Sequence, residues 1–222
     1  MTKAKLVVLR HGQTEYNKQH LMTGQADVPL TAVGEDQARE AGVLVSHIRF
    51  DKVYSSNLSR AFNTAVLAVA SSNAQAHLLN ADGTWQIEQR AALAELHAGD
   101  FTGRSHKTDP EILNWERTYE NPIPGGESVR QVVERVQQFF DDEVAPRLAR
   151  GENVLVVAHA GILRVFDIVL GLESAPGQGL NPAKKRIPNA APHVYEYEHG
   201  VMTGFRLIEN PKDPAASAPP GP

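Results

Sequence analysis

The stretch Leu6-Val7-Val8-Leu9-Arg10-His11-Gly12, written LVVLRHG, decides how the rest of the chain is read. Four consecutive apolar residues suit a strand buried on both faces, the kind found in parallel sheets covered by helices. A cation and an imidazole then arrive at its end with a glycine behind them. The order returns late in the chain, where VLVVA (154 to 158) is followed by His159, Gly161 and an apolar helical segment that ends near Gly171.

Between these units the pattern alternates. TAVGEDQAREAGVLVSHI places Val33, Gln37, Ala38, Ala41, Leu44 and Val45 at helical spacing, with Thr31 as N-cap and Glu35 near the first turn. KVYSS (52 to 56) reads as a short strand and LSRAFNTAVLAVASS as a second helix. DGTWQIEQRAALAEL contains another short strand leading to Glu95, HAGDFTGRSHKTDP is a Gly-rich loop, and EILNWERTYENPIPGG carries a short helix ended by Pro and Gly. A long amphipathic helix is expected from roughly Ser128 to Arg150, closed by Gly151. After a long loop, HVYEYEH and MTGFRLI read as two final edge strands. Strands alternating with helices imply an α/β fold, a three-layer α/β/α sandwich around a mostly parallel central sheet. Residues 1–209 are expected to form a single catalytic domain and residues 210–222 a disordered Pro/Ala-rich tail.

The bulk numbers exclude several classes. A formal net charge of −4 over 222 residues offers no broad cationic field, so neither nucleic acid nor an anionic membrane is the expected partner. With no cysteine, disulfides, thiolate nucleophiles and thiolate-bound zinc are all out of reach. The apolar run before Arg10 is too short for a signal-peptide core, and no later segment approaches a membrane span, which points to the cytoplasm. No HExxH pattern and no histidine pair at i, i+4 is present, so no metal site is expected. P-loop, GxSxG and complete GxGxxG patterns are also lacking, since GQGLNP puts Pro182 at the last glycine position.

Ligands of open α/β sheets bind at the carboxyl ends of the strands. That rule brings Arg10-His11-Gly12, Ser55 to Arg60, Glu95 and His159-Ala160-Gly161 to one rim. Two arginines, two imidazoles and helix N-termini there suit a small dianion. In order and spacing, LVVLRHGQTEYN, LMTGQADVPLTAVGEDQAREAG, VYSSNLSRAFNTA, LAELHAGDFTG and VLVVAHAGILR resemble the histidine phosphatase superfamily, in its phosphoglycerate mutase-like branch, over roughly residues 4 to 209. The resemblance implies that His11 attacks phosphorus and becomes a phosphohistidine, while Arg10, Arg60 and His159 hold the phosphoryl oxygens and Glu95 protonates the leaving oxygen. It further implies that Asn17, Thr23, Gly24 and Gly161 line the phosphate and substrate pocket. The partner so implied is a small phosphorylated metabolite, and relatives of this kind are often homodimers.

Two activities fall within the resemblance. The mutase pattern looks like ERHYG after the acid, followed by a long insertion with an adjacent arginine pair that grips a carboxylate. Here the text is ELHAG, with Leu96 and Ala98 at the Arg and Tyr positions, a short segment from Gly103 to Gly125, and Trp115-Glu116-Arg117 in place of two arginines. The lost clamp favours a metal-independent phosphatase that needs no cofactor. IPNAAPHVYEYEHG looks more like the mutases, which keeps a 2,3-bisphosphoglycerate-primed phosphoglycerate mutase as the alternative. A non-catalytic phospho-ligand module is the second alternative. Arg104, Lys107, Arg117, Lys184, Lys185 and Arg186 are candidates for a second anion site or plain solvated charges.

Overall fold

The computed structural model describes residues 2–115, 118–173 and 187–213. Among the described residues, six strands form one sheet in the order β3-β2-β4-β1-β5-β6. They are β1 (Lys3–Arg10), β2 (Lys52–Ser56), β3 (Glu88–Arg90), β4 (Val154–Ala158), β5 (Pro192–Glu198) and β6 (Val201–Leu207). β3, β2, β4 and β1 run parallel, whereas β5 and β6 pair antiparallel. The sheet is therefore mostly parallel, as the alternating pattern requires.

The apolar runs of β1 and β4 are continuous because both faces are covered. Leu6 and Val8 of β1, with Val154, Val156 and Ala158 of β4, pack into one core with α5 (Val129–Phe139), α6 (Ala145–Ala149) and α7 (Ala160–Val169). The intervening Val7, Leu9, Leu155 and Val157 pack into a second core with α2 (Ala32–Leu44) and α3 (Ser59–Ala70). Successive strand side chains point to opposite faces, so each apolar tetrad serves two cores. Two short helices, α1 (Glu15–Lys18) and α4 (Pro110–Asn114), lie outside this frame.

Local chemistry sets the helix ends. The Thr31 hydroxyl accepts from Gly34 N at the start of α2, and Ser128 and Gln131 form a capping box at the start of α5. The expected long helix is interrupted: Phe140–Val144 is a π-helical turn between α5 and α6. Pro146, near the start of α6, lacks an N–H and cannot continue an α-helical ladder, and the wider turn absorbs the defect. Gly151 then ends the helix at φ +86°.

Three expectations need correction. Val33 is 44% exposed and does not belong to the buried face of α2, which runs through Gln37, Ala38 and Ala41. β5 lies between β1 and β6, so only β6 is an edge on that side. The chain also does not turn loose at Asn210. That side chain is buried and donates to the carbonyls of Gln37 and Ala190, and Asp213 is buried as well, so the packed region reaches at least residue 213. The rest of the expected tail, residues 214–222, lies outside the described residues. Among the described residues no helix is long and apolar enough to cross a membrane.

Candidate active site

The rim forms because β4 inserts between β1 and β2. β1 and β4 are parallel neighbours in a register that sets Arg10 opposite Ala158, so the next residues, His11 and His159, leave the sheet at the same level. His11 N donates to the Ala158 carbonyl at 3.0 Å, and the two imidazole centroids are 5.1 Å apart. A parallel pair thus brings together two residues separated by 148 positions.

His11 is buried and its Nδ1 lies 2.7 Å from the Gly12 carbonyl. A carbonyl only accepts, so Nδ1 carries the proton and Nε2 holds the lone pair. Burial pushes the His11 pKa well below the usual imidazole value, and the Arg60 and Arg10 guanidiniums push it further down. The ring is consequently neutral and nucleophilic at neutral pH. His159 is pushed the same way by burial, then by Arg60 and His11. Neither of its ring nitrogens has a partner among the described residues, although both are buried. Such a group calls for a ligand with hydrogen-bonding oxygens.

Arg60 projects from the first turn of α3, whose start is held by Asp27 Oδ1 accepting from Ser59 N at 2.9 Å and from Ser59 Oγ at 2.7 Å. Its fully buried guanidinium donates from Nη1 to the Ala26 carbonyl and from Nη2 to the Gly24 carbonyl. Two backbone carbonyls do not neutralise a buried positive charge, so the site retains a field that favours an anion. Arg10, at the end of β1, donates from Nη1 to the Ile187 carbonyl at 2.6 Å.

Glu95 sits opposite. Its Oε2 accepts from Gly161 N at 3.2 Å, at the N-terminus of α7, and its Oε1 accepts from Leu96 N at 2.9 Å. Gly161 is required for that approach, because a Cβ there would lie 2.3 Å from Oε1. The Glu95 main chain is pinned as well, with Gln25 Nε2 donating to its carbonyl at 2.9 Å and Arg135 Nη2 at 3.4 Å. Asn17 closes the α1 capping box with Thr14, and its Oδ1 also accepts from Asn189 Nδ2, so its NH₂ is the end available to a ligand. Gly24 has φ +48° and lies so close to Ala98 that a Cβ would come within 2.6 Å of the Ala98 Cβ. Thr23 precedes it, its carbonyl accepting from Ala26 N. Among the described residues no cluster of three or more His, Asp or Glu side chains could hold a metal ion.

The segment after Glu95 is cross-linked by hydrogen bonds. Asp100 N donates to Pro124 O, Glu127 N to His97 O, and His97 N to Glu127 Oε2. Gly103 and Arg104 exchange hydrogen bonds with Met22, which ties the segment to the Thr23-Gly24 turn. Arg104 is held by Asp109 and Glu111, which removes it as a second-anion donor. Arg117 and residues 184–186 lie outside the described residues. Sequence reasoning missed Gln25, Gln37, Asn189 and Arg135, which support the site from other elements and carry no local motif.

The model of the histidine phosphatase superfamily, branch 1, matches residues 6–204. A 2,3-bisphosphoglycerate-dependent phosphoglycerate mutase of Parvibaculum lavamentivorans is 36% identical over 214 residues, covering 92% of this chain and 96% of that protein. Among solved structures, a mycobacterial glucosyl-3-phosphoglycerate phosphatase superposes with a TM-score of 0.70 at 26% identity, covering 94% of this chain and 99% of the other. A phosphoglycerate mutase from Bacillus anthracis gives 0.69 at 26% identity, covering 96% and 94%. The family match over most of the chain and the Parvibaculum relative agree with one another: the chain is an enzyme that belongs to the histidine phosphatase superfamily, branch 1.

Proposed function

We propose that the protein is a metal-independent phosphatase that hydrolyses a small phosphomonoester through a phosphohistidine on His11. In this reading the substrate phosphoryl lies between His11 Nε2 and Glu95. Arg10, Arg60 and His159 hold its equatorial oxygens, assisted by the Asn17 NH₂, while Thr23, Gly24 and Gly161 shape the pocket. Nε2 attacks phosphorus in line with the ester oxygen, the P–O bond breaks, and the leaving oxygen takes a proton from Glu95. Water then attacks the phosphohistidine, giving its proton to the Glu95 carboxylate as the P–N bond breaks, and inorganic phosphate leaves. Splitting the transfer into two displacements eases each, and fixed guanidinium and imidazole donors stabilise the spreading charge without reorganisation.

The observation that carries hydrolysis over mutase chemistry is the identity and burial of Leu96 and Ala98. Both side chains are buried, Ala98 against Gly24, where the mutase pattern has an arginine and a tyrosine. An apolar wall there supplies none of the polar groups that the mutase pattern places at these two positions. Arg104 cannot substitute, because Asp109 and Glu111 already occupy it.

A 2,3-bisphosphoglycerate-primed mutase is the second reading, favoured by the name and the 36% identity of the Parvibaculum relative and by IPNAAPHVYEYEHG near the C-terminus. Paired assays separate the two: phosphate release from a panel of phosphomonoesters, and conversion of 3-phosphoglycerate to 2-phosphoglycerate with primer. The phosphatase reading expects phosphate release with little isomerisation, undiminished by EDTA. Efficient isomerisation with little release would replace it with the mutase.

A further inference from the structure

We propose that Gln37 is a positioning residue for the nucleophile. Through the Gly12–Gln13 peptide it holds His11 in the tautomer whose Nε2 carries the lone pair, and Asn210–Lys212 hold Gln37 in turn. The proposal rests on reading His11 as the nucleophile.

The peptide unit between Gly12 and Gln13 is planar, so fixing its N–H also fixes its C=O. That C=O accepts from His11 Nδ1 at 2.7 Å, and the N–H of the same unit donates to Gln37 Oε1 at 2.8 Å. Gln37 is 1% exposed, so its amide has no water to turn to. Its Nε2 donates to the Lys212 carbonyl at 3.2 Å. One contact requires the amide oxygen and the other the amide nitrogen, which leaves one orientation of the side chain.

The supports continue outward. Asn210 Nδ2 donates to the Gln37 carbonyl at 2.9 Å and to the Ala190 carbonyl at 2.7 Å, while Ala190 N donates to the Arg10 carbonyl at 3.1 Å. Asn189 Nδ2 donates to the His11 carbonyl at 3.0 Å, and Gly12 N donates to Thr64 Oγ1 at 3.0 Å. The loop 10–13 is thus ringed by donors and acceptors from α2, α3 and the chain's C-terminal segment. Among the described residues nothing equivalent reaches the His159 ring. The device belongs to the imidazole that must present one particular nitrogen to phosphorus.

The test reads the tautomer directly, by two-bond ¹⁵N–¹H correlation NMR on the full chain labelled with ¹⁵N-histidine, without substrate. The unaltered chain should show His11 as a single Nδ1–H form. Gln37→Leu should give mixed tautomers and slow single-turnover phosphorylation of His11 by p-nitrophenyl phosphate by about 10²-fold, with kcat falling more than KM rises. Gln37→Glu, protonated in this buried position, keeps an oxygen opposite Gln13 N–H and an O–H to donate to the Lys212 carbonyl, and should recover both tautomer and rate. If Gln37→Leu does not fold, Asn210→Ala decides: a mixed tautomer supports the proposal and a single one overturns it. An Nε2–H form in the unaltered chain also overturns it, as does a folded Gln37→Leu with one Nδ1–H tautomer and an unchanged rate. Failure of the unaltered chain to form phosphohistidine would instead count against the catalytic reading, and the tautomer result would stand.

Discussion

The two strand–histidine–glycine units look alike in sequence and end in different chemistry. β1 delivers His11 into a polar loop whose own backbone accepts the hydrogen bond from Nδ1–H, so one nitrogen is committed and the other faces the site. β4 runs directly into α7, with His159 at the N-cap and both ring nitrogens unpartnered among the described residues. The glycines diverge as well. A Cβ on Gly12 would fall 2.1 Å from the Gly34 carbonyl, whereas one on Gly161 would fall 2.3 Å from the Glu95 carboxylate. One glycine lets two backbones touch; the other lets the Glu95 carboxylate meet a helix N-terminus. A shared local pattern therefore says where a strand ends, and the element behind it decides what the end can do.

Removing the two imidazoles breaks the comparison most sharply. His11→Ala should abolish turnover, with a loss of more than about 10⁴-fold, and no acid-labile label should appear on the protein from a ³²P-phosphomonoester. Its circular dichroism should stay native, since His11 sits at the strand end. His159→Ala should slow phosphorylation by about 10²- to 10³-fold, the range for losing one transition-state donor. Label should still form in that variant. Equal labelling in both would mean that the roles are not divided as proposed.

The glycine pair gives the next contrast. Gly161→Ala should displace Glu95 and lower turnover of alkyl phosphates by about 10²-fold, with less loss for p-nitrophenyl phosphate, whose leaving group scarcely needs an acid. Its thermal midpoint should move little. Gly12→Ala should do the reverse in stability, costing about 1–3 kcal/mol because backbone meets backbone and neither side can yield. A thermal midpoint unchanged in Gly12→Ala would refute that assignment.

The smallest effect is shared by both units. Burial keeps both imidazoles neutral in the native state, with pKa values below 6.5, while the unfolded chain titrates near 6.5. The unfolded state therefore binds more protons under acid conditions. Stability from this source is complete above about pH 6.5 and declines as pH falls toward the native pKa values. The His11→Gln/His159→Gln double variant should show a shallower decline in thermal midpoint between about pH 6.5 and 5 than the unaltered chain.

Much of the site was legible because its chemistry lies at strand ends. The apolar tetrads before His11 and His159, the serines before Arg60 and the short strand before Glu95 each mark a carboxyl terminus of the sheet, and ligand sites gather there. The supports were not legible. Gln37 looks like one more residue on a helical face, Asn189 sits in a loop, and Asn210 opens a Pro-rich stretch whose composition argues for disorder. What they do depends on which carbonyl faces them across the fold. The π turn was also hidden, since Pro146 changes how the helix continues without ending its amphipathic pattern.

By itself the sequence determined the alternation of buried strands and helices, the arginine, histidine and glutamate side chains at the strand ends, and the absence of thiolate chemistry. These follow from side-chain identity and local periodicity. The tertiary structure decided that β4 lies between β1 and β2, which places two distant histidines 5.1 Å apart. It also decided which nitrogen of His11 is free, because that depends on a peptide plane held by Gln37 from another element. Register and hydrogen-bond partnership are properties of pairs of segments, and a single segment does not contain them.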